Sequence, residues 1–374
     1  QDIAMKTLTH PYKMVSLLVV LSSFASSFHP STHSIRNRLP QGRSLGRRPI
    51  VLYSSNNDKE EDELAAAFES CREATEIGSR TFYLATQFMD RRKAEAVWAI
   101  YTWCRETDEV ADGEEGGTDE ERATELEFRR QRLQKTMVET STDGASSADV
   151  ALAASCRRFQ LEVSPFEDMI DGMLMDLDLG DQSGPSSVRV MCDSIDEQDL
   201  YAYRVAGTVG LMTLPIVGEG VDTASKLIRQ RAVALGEAFQ LTNILRDVGE
   251  DIQLRNRVYI PGSQLTQFGV APEDILKMST GEVPISDAYR RLIASELERN
   301  LARYEVAEQG IPMLPWITQF PVRVALELYR EIAMSVRSRN GYDNLTQRAF
   351  VGKWSKIGLL PGIAVRAAIA SWQA

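Results

Sequence analysis

Apolar residues recur at intervals of three and four along most of the chain after residue 60, which is the spacing of one face of an α-helix. The clearest such stretches are Leu64–Thr75, Ala94–Arg105, Leu200–Met212, Ala224–Arg246 and Val322–Val336. No run alternates apolar and polar residues as a half-buried β-strand would. The pattern therefore predicts an all-α fold, a single-domain helical bundle over about residues 58–374.

Prolines and stretches rich in Ser and Gly mark the predicted connections between these helices. Because proline lacks the N–H that a helix interior needs, we place prolines such as Pro215 and Pro321 in loops. Ser141–Ala148 and Asp181–Ser187 combine Ser, Gly and Asp, and we expect both to be surface loops.

The first 57 residues differ in composition from the rest of the chain. Gln1–Ala4 precede Met5, which we interpret as the start of translation. The apolar run Met14–Phe24 is too short to span a bilayer and is typical of a signal-peptide core. Small residues follow, and then an Arg- and Ser-rich segment at 31–51 without an acidic residue, as in a transit peptide. We expect residues 1–57 to be a bipartite address; a secretory signal with a disordered linker is the alternative.

Charge and residue usage exclude several classes of function. The net charge is −11 although residues 1–57 are basic, so the remainder is strongly acidic and lacks the basic face that nucleic acid requires. The four cysteines, Cys71, Cys104, Cys156 and Cys192, are scattered, and we expect reduced thiols. All three histidines precede residue 58. The folded part therefore has no histidine for Ser-His-Asp or Cys-His catalysis.

Two acidic stretches carry the candidate chemistry. Asp108 and Asp112 are four residues apart, and so are Asp247 and Asp251. On a helix this spacing puts both carboxylates on one face, where like charges repel by a few tenths of a kcal/mol. One such pair alone is more typical of a solvated helix face, so the residues around each pair decide the interpretation.

Both pairs share their face with further polar residues. Tyr101 and Arg105 fall on the first face, and Gln240 and Asn243 fall on the second, which has apolar flanks. Carboxylate and amide oxygens are the ligands that Mg²⁺ or Mn²⁺ takes when it also holds a substrate phosphate. We predict Asp108, Asp112, Asn243, Asp247 and Asp251 as metal ligands, and the four aspartates as catalytic residues. Facing each other, the two helices would clamp a diphosphate, with Arg105 and Arg246 adding contacts.

Three further stretches add weaker signals. Ser79–Thr86 reads SRTFYLAT and is equally typical of a core helix with a polar rim. Tyr201–Gly210 carries small residues that allow close packing against a helix or a long apolar ligand. Arg257 follows the second acidic stretch, in RVYIP, at a place where a basic side chain would reach phosphate.

Together and in this order, the five stretches resemble the squalene/phytoene synthase family over about residues 60–360. The most specific pieces are NILRDVGED, VAGTVG and RVYIP, and SRTFYLAT, WCRETDEVADG and PFEDMIDGM are most similar to phytoene synthases. The resemblance implies an all-α bundle of the isoprenoid synthase type with a central cavity. It implies that the aspartates bind Mg²⁺ and, through it, diphosphate. It also implies that the pocket is lined by Ser79, Phe82, Tyr101, Arg105, Gln240 and Tyr329.

The implied reaction is head-to-head condensation of two geranylgeranyl diphosphates to phytoene through prephytoene diphosphate, the first committed step of carotenoid biosynthesis. No nicotinamide is expected. The alternatives are a squalene synthase-like enzyme that uses farnesyl diphosphate and NADPH, and a non-catalytic family member acting as a scaffold subunit. The N-terminal pattern resembles the plastid addresses of diatoms and related algae, so we expect the stroma or the thylakoid surface.

Two regions suggest contacts beyond the substrate. Leu174 stands where family members often have arginine, and the stretch at 181–193 looks longer than usual. We therefore expect a possible protein partner through residues 174–193. The tail Ile357–Ala374 is apolar but interrupted by Pro361 and Arg366, which favours peripheral membrane association over a spanning anchor.

Overall fold

The computed structural model describes residues 56–78, 83, 86, 89–113, 116–137, 146–177, 188–338 and 341–349. This part of the chain is helical almost throughout, which confirms the all-α prediction. Its helices are α1 (Asn56–Gly78), α2 (Arg91–Asp112), α3 (Asp119–Met137), α4 (Ser147–Phe159), α5 (Ser164–Leu174), α6 (Ile195–Ala202), α7 (Thr208–Val217), α8 (Lys226–Arg255), α9 (Gly262–Phe268), α10 (Pro272–Ser279), α11 (Asp287–Glu308) and α12 (Trp316–Ser338). A π-helical turn, Tyr203–Gly207, joins α6 to α7, and a 3₁₀ turn, Ile311–Met313, precedes α12.

Helix α2 carries the first acidic stretch at its C-terminal end. The side chain of Asp90 caps its start by accepting a hydrogen bond from the N–H of Lys93 at 3.0 Å. Gly113, at φ 71°, ends it in the left-handed conformation that glycine adopts without strain. Between these two ends, Trp103 is buried and meets the ring of Phe166 of α5 edge-on. Both side chains belong to the first hydrophobic core, which packs α2 against α5.

Helix α8 is the long element of the second half and carries the second acidic stretch. Its N-terminal half packs against α7 and the π-helical turn before it, through glycines that leave no room for a Cβ atom. A Cβ on Gly236 would lie 2.2 Å from the carbonyl oxygen of Ala206, and one on Gly210 would lie 2.5 Å from that of Ala232. The small residues of VAGTVG therefore serve close helix packing. The opposite side of α8 packs on α11 and α12 over a second core that includes Tyr289 and Tyr304.

The segment Ile195–Val217 is long and apolar enough to cross a membrane, and it is the one such segment in the part of the chain that the structure describes. It is mostly buried among the other helices. We interpret it as a core helix, because a buried helix of a globular domain has the same composition.

The structure differs from the sequence prediction in three places. Pro215 and Pro321 lie inside α7 and α12, not in loops. Arg189–Val190 and Arg257–Val258 form a two-stranded parallel pair, each too short to show an alternating pattern. The predicted helix Ala224–Arg246 begins at Lys226 and continues to Arg255, where Asn256 ends it at φ 52°. The predicted loop at 181–187 lies outside the described residues, as do residues 141–145 of the other predicted loop. Ser147 and Ala148, the last residues of that loop in the prediction, instead begin α4.

All four cysteines are buried and unbridged, as expected for reduced thiols. Burial raises the pKa of the Cys71 thiol to about 12, so it stays protonated at neutral pH and is a poor nucleophile.

Candidate functional site

The first acidic stretch ends α2 inside the protein. Asp108 is buried, and the side chain of Asp112 is 10% exposed. Oδ2 of Asp112 is buried without a hydrogen bond in the described structure and faces Nη2 of Arg255 at 3.9 Å. A carboxylate oxygen in this position is available to a further cation.

The second acidic stretch lines a small cavity. Gln240, Asn243, Asp247 and Asp251 are all buried on one face of α8. With Tyr201, Ile244 and Tyr259 they surround a small cavity of about 10 Å³. The predicted spacing therefore places these four polar side chains around one space.

Arg255 connects the two stretches. Its guanidinium lies 3.4 Å from Oδ1 of Asp251 and 3.9 Å from Oδ2 of Asp112. Burial opposes the charge of Arg255, but Asp112 and Asp251 outweigh it and raise its pKa. One side chain thus reaches an aspartate of each stretch, so the C-terminal ends of α2 and α8 lie side by side.

Asp247 is held by two arginines. Arg246 donates to both of its carboxylate oxygens, at 2.8 and 2.5 Å, and Nε of Arg348 donates to Oδ1 at 2.8 Å. Burial raises the pKa of a carboxyl group, but Arg246 and Arg348 outweigh it and lower the pKa of Asp247. Asp247 is therefore ionised at neutral pH although it is buried.

Arg348 was missed by the sequence analysis. It belongs to the segment 341–349, which Asn344 ties to α8: the amide of Asn344 donates to the carbonyl of Leu245 at 2.6 Å, and its own carbonyl accepts from the N–H of Gly249 at 3.3 Å. A Cβ on Gly249 would lie 2.1 Å from the carbonyl oxygen of Leu345. The glycine of DVGED therefore lets this segment approach close enough for Arg348 to reach Asp247.

The buried carboxylate of Asp176 was also missed. Asp176 accepts hydrogen bonds from Tyr201 at 3.0 Å and from Tyr259 at 2.6 Å, and the two tyrosine rings stack at 5.2 Å. Burial, and then the charge of Asp176, raise the pKa of Tyr201 well above 10. Both tyrosines also line the small cavity, beside the second acidic stretch. Arg257 lies next to this cluster; burial opposes its charge, but Tyr259 and Asp176 raise its pKa.

The remaining predicted residues occupy varied positions. Tyr101 is buried in α2, and Arg105 pairs with Glu109 on the same helix. The ring of Tyr329 stacks on Phe239 at 4.1 Å. Ser79 and Phe82 lie outside the described residues. Leu174 ends α5 and packs, partly buried, against the first core.

A larger cavity of about 160 Å³, open to solvent, lies beside the N-terminal half of α8. Its walls are mainly apolar and come from α7, α8, α12 and the turn before α12. Leu235, which lines it, lies about 18 Å along α8 from Asp247 at 1.5 Å per residue. Phe239, one turn beyond Leu235 on α8, stacks on Tyr329.

Comparison with known proteins relates the chain to one family. The family model described as squalene/phytoene synthase matches residues 76–355. Phytoene synthase 2, chloroplastic, from Zea mays is 39% identical over 82% of this chain and 71% of its own length. The 15-cis-phytoene synthase of Synechococcus elongatus is 38% identical over 82% of this chain and 95% of its own. Among solved structures, a dehydrosqualene synthase in complex with ligand is 29% identical, with a TM-score of 0.66, over 82% of this chain and 98% of that one.

Proposed function

The chain belongs to the squalene/phytoene synthase family, and we propose that it condenses two geranylgeranyl diphosphates head to head to phytoene, the first committed step of carotenoid biosynthesis. The observation that carries the proposal is the joining of both acidic stretches through Arg255, with an apolar cavity farther along the same helix α8. A prenyl diphosphate has a charged end and an apolar end, so it needs a charged region and an apolar region in its binding site.

The residues present fit a divalent metal. Within the described residues no three His, Cys, Asp or Glu side chains already converge on one point. However, Oδ2 of Asp112 is buried without a hydrogen bond, and every predicted ligand offers an oxygen, the donor that Mg²⁺ and Mn²⁺ prefer. We propose that Asp108 and Asp112 hold metal from α2, and that Asn243, Asp247 and Asp251 hold it from α8. When bound, the metal would supply positive charge that stabilises the leaving diphosphate.

Arginines of this chain supply the rest of the positive charge. Arg246, Arg255 and Arg348 now neutralise Asp247, Asp251 and Asp112. We propose that they turn to the diphosphate oxygens when metal takes the carboxylates, which stabilises the charge that develops as the first carbon–oxygen bond breaks. We propose the same role for Arg105, on α2, and for Arg257, which follows α8.

The apolar cavity takes the two prenyl chains. The allylic cation left by departure of diphosphate is attacked by the double bond of the second substrate, and loss of a proton to the released diphosphate closes the cyclopropane ring of prephytoene diphosphate. A second ionisation, rearrangement and proton loss give phytoene, with diphosphate as the acceptor of the proton. Such cations need walls that exclude water. We propose that Tyr101, Gln240 and Tyr329, which stacks on Phe239, shield the cations in this way together with Tyr201, and that Ser79 and Phe82 do the same.

One assay separates this function from its alternatives. The full chain is incubated with radiolabelled geranylgeranyl diphosphate and Mg²⁺, without NADPH, and we expect labelled phytoene. Product only from farnesyl diphosphate with NADPH would assign squalene synthase activity. A folded protein without turnover on either substrate would favour the scaffold role.

We propose a plastid location, at the stromal side or on the thylakoid surface. Relatives from Zea mays and Arabidopsis thaliana are named chloroplastic, whereas the Synechococcus relative comes from an organism without plastids. The proposal therefore depends on the sequence of residues 1–57. Residues 1–57 fused to a fluorescent protein should enter the plastid of an alga with secondary plastids, and retention in the secretory pathway would contradict it.

The region 174–193 remains our proposal for a protein partner. Its described part is engaged within the chain: Arg189 donates its N–H to the carbonyl of Asn256 at 2.7 Å, and Met191 to that of Val258 at 2.9 Å. A partner would therefore contact the outer side of a segment that is already fixed next to Arg257. Co-purification that depends on residues 178–187 would support this.

A further inference from the structure

Gln198 is a buried glutamine of α6 whose side-chain amide is used at both ends. It is 1% exposed. Its Nε2 donates a hydrogen bond to the carbonyl oxygen of Tyr259 at 2.8 Å, and its Oε1 accepts one from Nη2 of Arg299. The side chain thus joins α6 to α11 and to the residue that follows the short strand Arg257–Val258. A buried polar side chain with both ends satisfied holds its partners in one arrangement.

The two partners of this amide require a side chain of its kind. The carbonyl of Tyr259 can only accept a hydrogen bond, and the guanidinium of Arg299 can only donate one. A side chain between them has to offer one donor and one acceptor at its tip. An amide offers both, whereas an ionised carboxylate offers acceptors alone and an apolar side chain offers neither. The partners therefore also fix which end of the Gln198 amide faces which neighbour.

Arg299 is itself held by two carboxylates. Its Nη1 donates to Oδ1 of Asp199 at 2.8 Å, and its Nη2 donates to Oε2 of Glu296 at 2.7 Å. Asp199 follows Gln198 on α6, Glu296 precedes Arg299 by three residues on α11, and Arg303 of α11 also pairs with Asp199. Gln198 therefore contacts a guanidinium that ion pairs hold in place.

On its other side, Gln198 continues a row of hydrogen bonds along the chain after α8. The carbonyl oxygens of Asn256 and Val258 accept from backbone N–H groups of the segment 189–191, at 2.7 and 2.9 Å. The next carbonyl, that of Tyr259, accepts from the side chain of Gln198. Gln198 thus takes over where the short strand pair ends.

The side chain of Tyr259 lines the small cavity beside the second acidic stretch. Its hydroxyl donates to Oδ1 of Asp176 at 2.6 Å, and its ring stacks on Tyr201, which lines the same cavity. The face of an aromatic ring attracts a nearby cation, and such an interaction depends closely on distance. What fixes the backbone of Tyr259 therefore also fixes how this pair of rings meets the cavity.

We propose that Gln198 is a positioning residue, which through the carbonyl of Tyr259 sets where the ring and hydroxyl of Tyr259 lie beside the second acidic stretch. Its effect on turnover rests on the proposed function, whereas the contact itself does not. In that function metal and arginines hold the diphosphates, and Gln198 acts on a wall of the cavity instead. Loss of its amide should therefore lower kcat and leave the KM for geranylgeranyl diphosphate nearly unchanged.

The first test is Gln198→Met in the full chain labelled with 3-fluorotyrosine. Methionine keeps the length of the side chain and removes its donor and its acceptor. The chain has 11 tyrosines, so the fluorine resonance of Tyr259 is identified as the one that Tyr259→Phe removes. We expect this resonance to shift in Gln198→Met, because the carbonyl of Tyr259 loses its hydrogen bond. An unchanged resonance would overturn the proposal.

Arg299→Lys is a second variant that serves if Gln198→Met does not fold. It keeps a positive charge beside Asp199, but an ammonium lacks the planar fork with which a guanidinium meets several acceptors at once. The Gln198 amide then loses its support, and the resonance of Tyr259 should shift in the same direction. A resonance at the wild-type position in this variant would also overturn the proposal.

The matched control is Gln253→Met. The amide of Gln253 donates to the carbonyl of Ser279 at 2.7 Å, so this variant loses the same kind of hydrogen bond between α8 and α10. It should keep the resonance of Tyr259, the kcat and the KM of the wild type. Equal effects of Gln198→Met and Gln253→Met would overturn the proposal.

A double-mutant cycle separates positioning from a general loss of stability. We expect Gln198→Met to lower the kcat of phytoene formation about tenfold, as a small misplacement beside the reacting atoms does. Because Gln198 acts through Tyr259, the loss in the double variant with Tyr259→Phe should be clearly smaller than the product of the two single losses. A combined loss equal to that product would overturn the proposal.

Turnover by the wild type separates this inference from the proposed function. Phytoene formed at the same kcat by the wild type and Gln198→Met removes the positioning role and keeps the reaction. Absence of phytoene from every protein, with the shift of the Tyr259 resonance retained in Gln198→Met, removes the reaction and keeps the placement of Tyr259 by Gln198.

Discussion

Asp247 is buried and ionised, and its replacement tests the metal and diphosphate clamp, which we define as Asp108 and Asp112 of α2 with Asn243, Asp247 and Asp251 of α8. Asp247→Ala would leave the guanidinium of Arg246 buried and unpaired, at about 3–5 kcal/mol, so loss of folding would mask loss of catalysis. Asp247→Asn keeps the shape and one acceptor oxygen for Arg246. We expect turnover to fall by about 10²–10³ or more, as for a removed group that stabilises a developing charge, with an unchanged circular dichroism spectrum.

The control for this variant is Asp274→Asn, since Asp274 is an exposed aspartate 4.0 Å from Lys277 on α10. It should keep full turnover. Retained turnover in Asp247→Asn would contradict the assignment of Asp247 to the clamp.

The lowered pKa of Asp247 also predicts how stability depends on pH. Its pKa in the folded protein lies below the ordinary value of 3.8. A carboxyl of this kind stabilises the fold above its unfolded-state pKa, and the stabilisation is lost as the pH falls through the folded-state pKa. The difference in free energy of unfolding between wild type and Asp247→Asn should be constant at about pH 5 to 7 and shrink below about pH 4. Urea unfolding across this range measures it, and a difference that grows on acidification would contradict the ion-pair account.

At the level of elements, the contact between α8 and the segment 341–349 depends on one glycine. Gly249→Ala would put a methyl group 2.1 Å from the carbonyl oxygen of Leu345, which is backbone and yields only if the segment moves. We expect a loss of about 1–3 kcal/mol in stability and, because Arg348 leaves Asp247, a lower affinity for pyrophosphate. Calorimetric titration with pyrophosphate and Mg²⁺ checks the second effect.

Gly262→Ala is the matched control, because the nearest atom to its added Cβ is 3.6 Å away. It should bind pyrophosphate as the wild type does. Equal behaviour of the two alanine variants would show that the segment 341–349 does not position Arg348.

Helices could be predicted from the sequence because the residues that determine them are neighbours in the chain. Hydrogen-bond and ion-pair partners that are distant in sequence could not. Helical periodicity located the long helices, and four-residue spacing grouped Asp247 with Asp251. Nothing local points to Arg348, which reaches Asp247 across 101 residues, or to Tyr259, which reaches Asp176 across 83. The loop prediction for Pro215 and Pro321 was wrong because burial of α7 and α12 outweighs the loss of one helical hydrogen bond.

For the whole molecule, the site joins two hydrophobic cores, so ligand binding and global stability are coupled. Asp112 ends α2 of the first core, and Asp251 lies on α8, which packs on the second. A ligand bound only by the folded state stabilises it by about 2.7 kcal/mol at a hundred times its Kd. Because metal and diphosphate each neutralise the other at the clamp, we expect Mg²⁺ with pyrophosphate to raise the Tm by several degrees, and each alone to raise it less.

Asp112→Asn separates this coupling from binding at α8 alone. The substitution keeps the size of the side chain but removes the charge that α2 offers, so metal and pyrophosphate would be held from one side only. The joint increase in Tm should then fall to that of the separate additions, and EDTA should remove what remains of it. An undiminished joint increase in Asp112→Asn would mean that α8 binds the ligands alone. The two acidic stretches would then be neighbours joined by Arg255 and not two sides of one clamp.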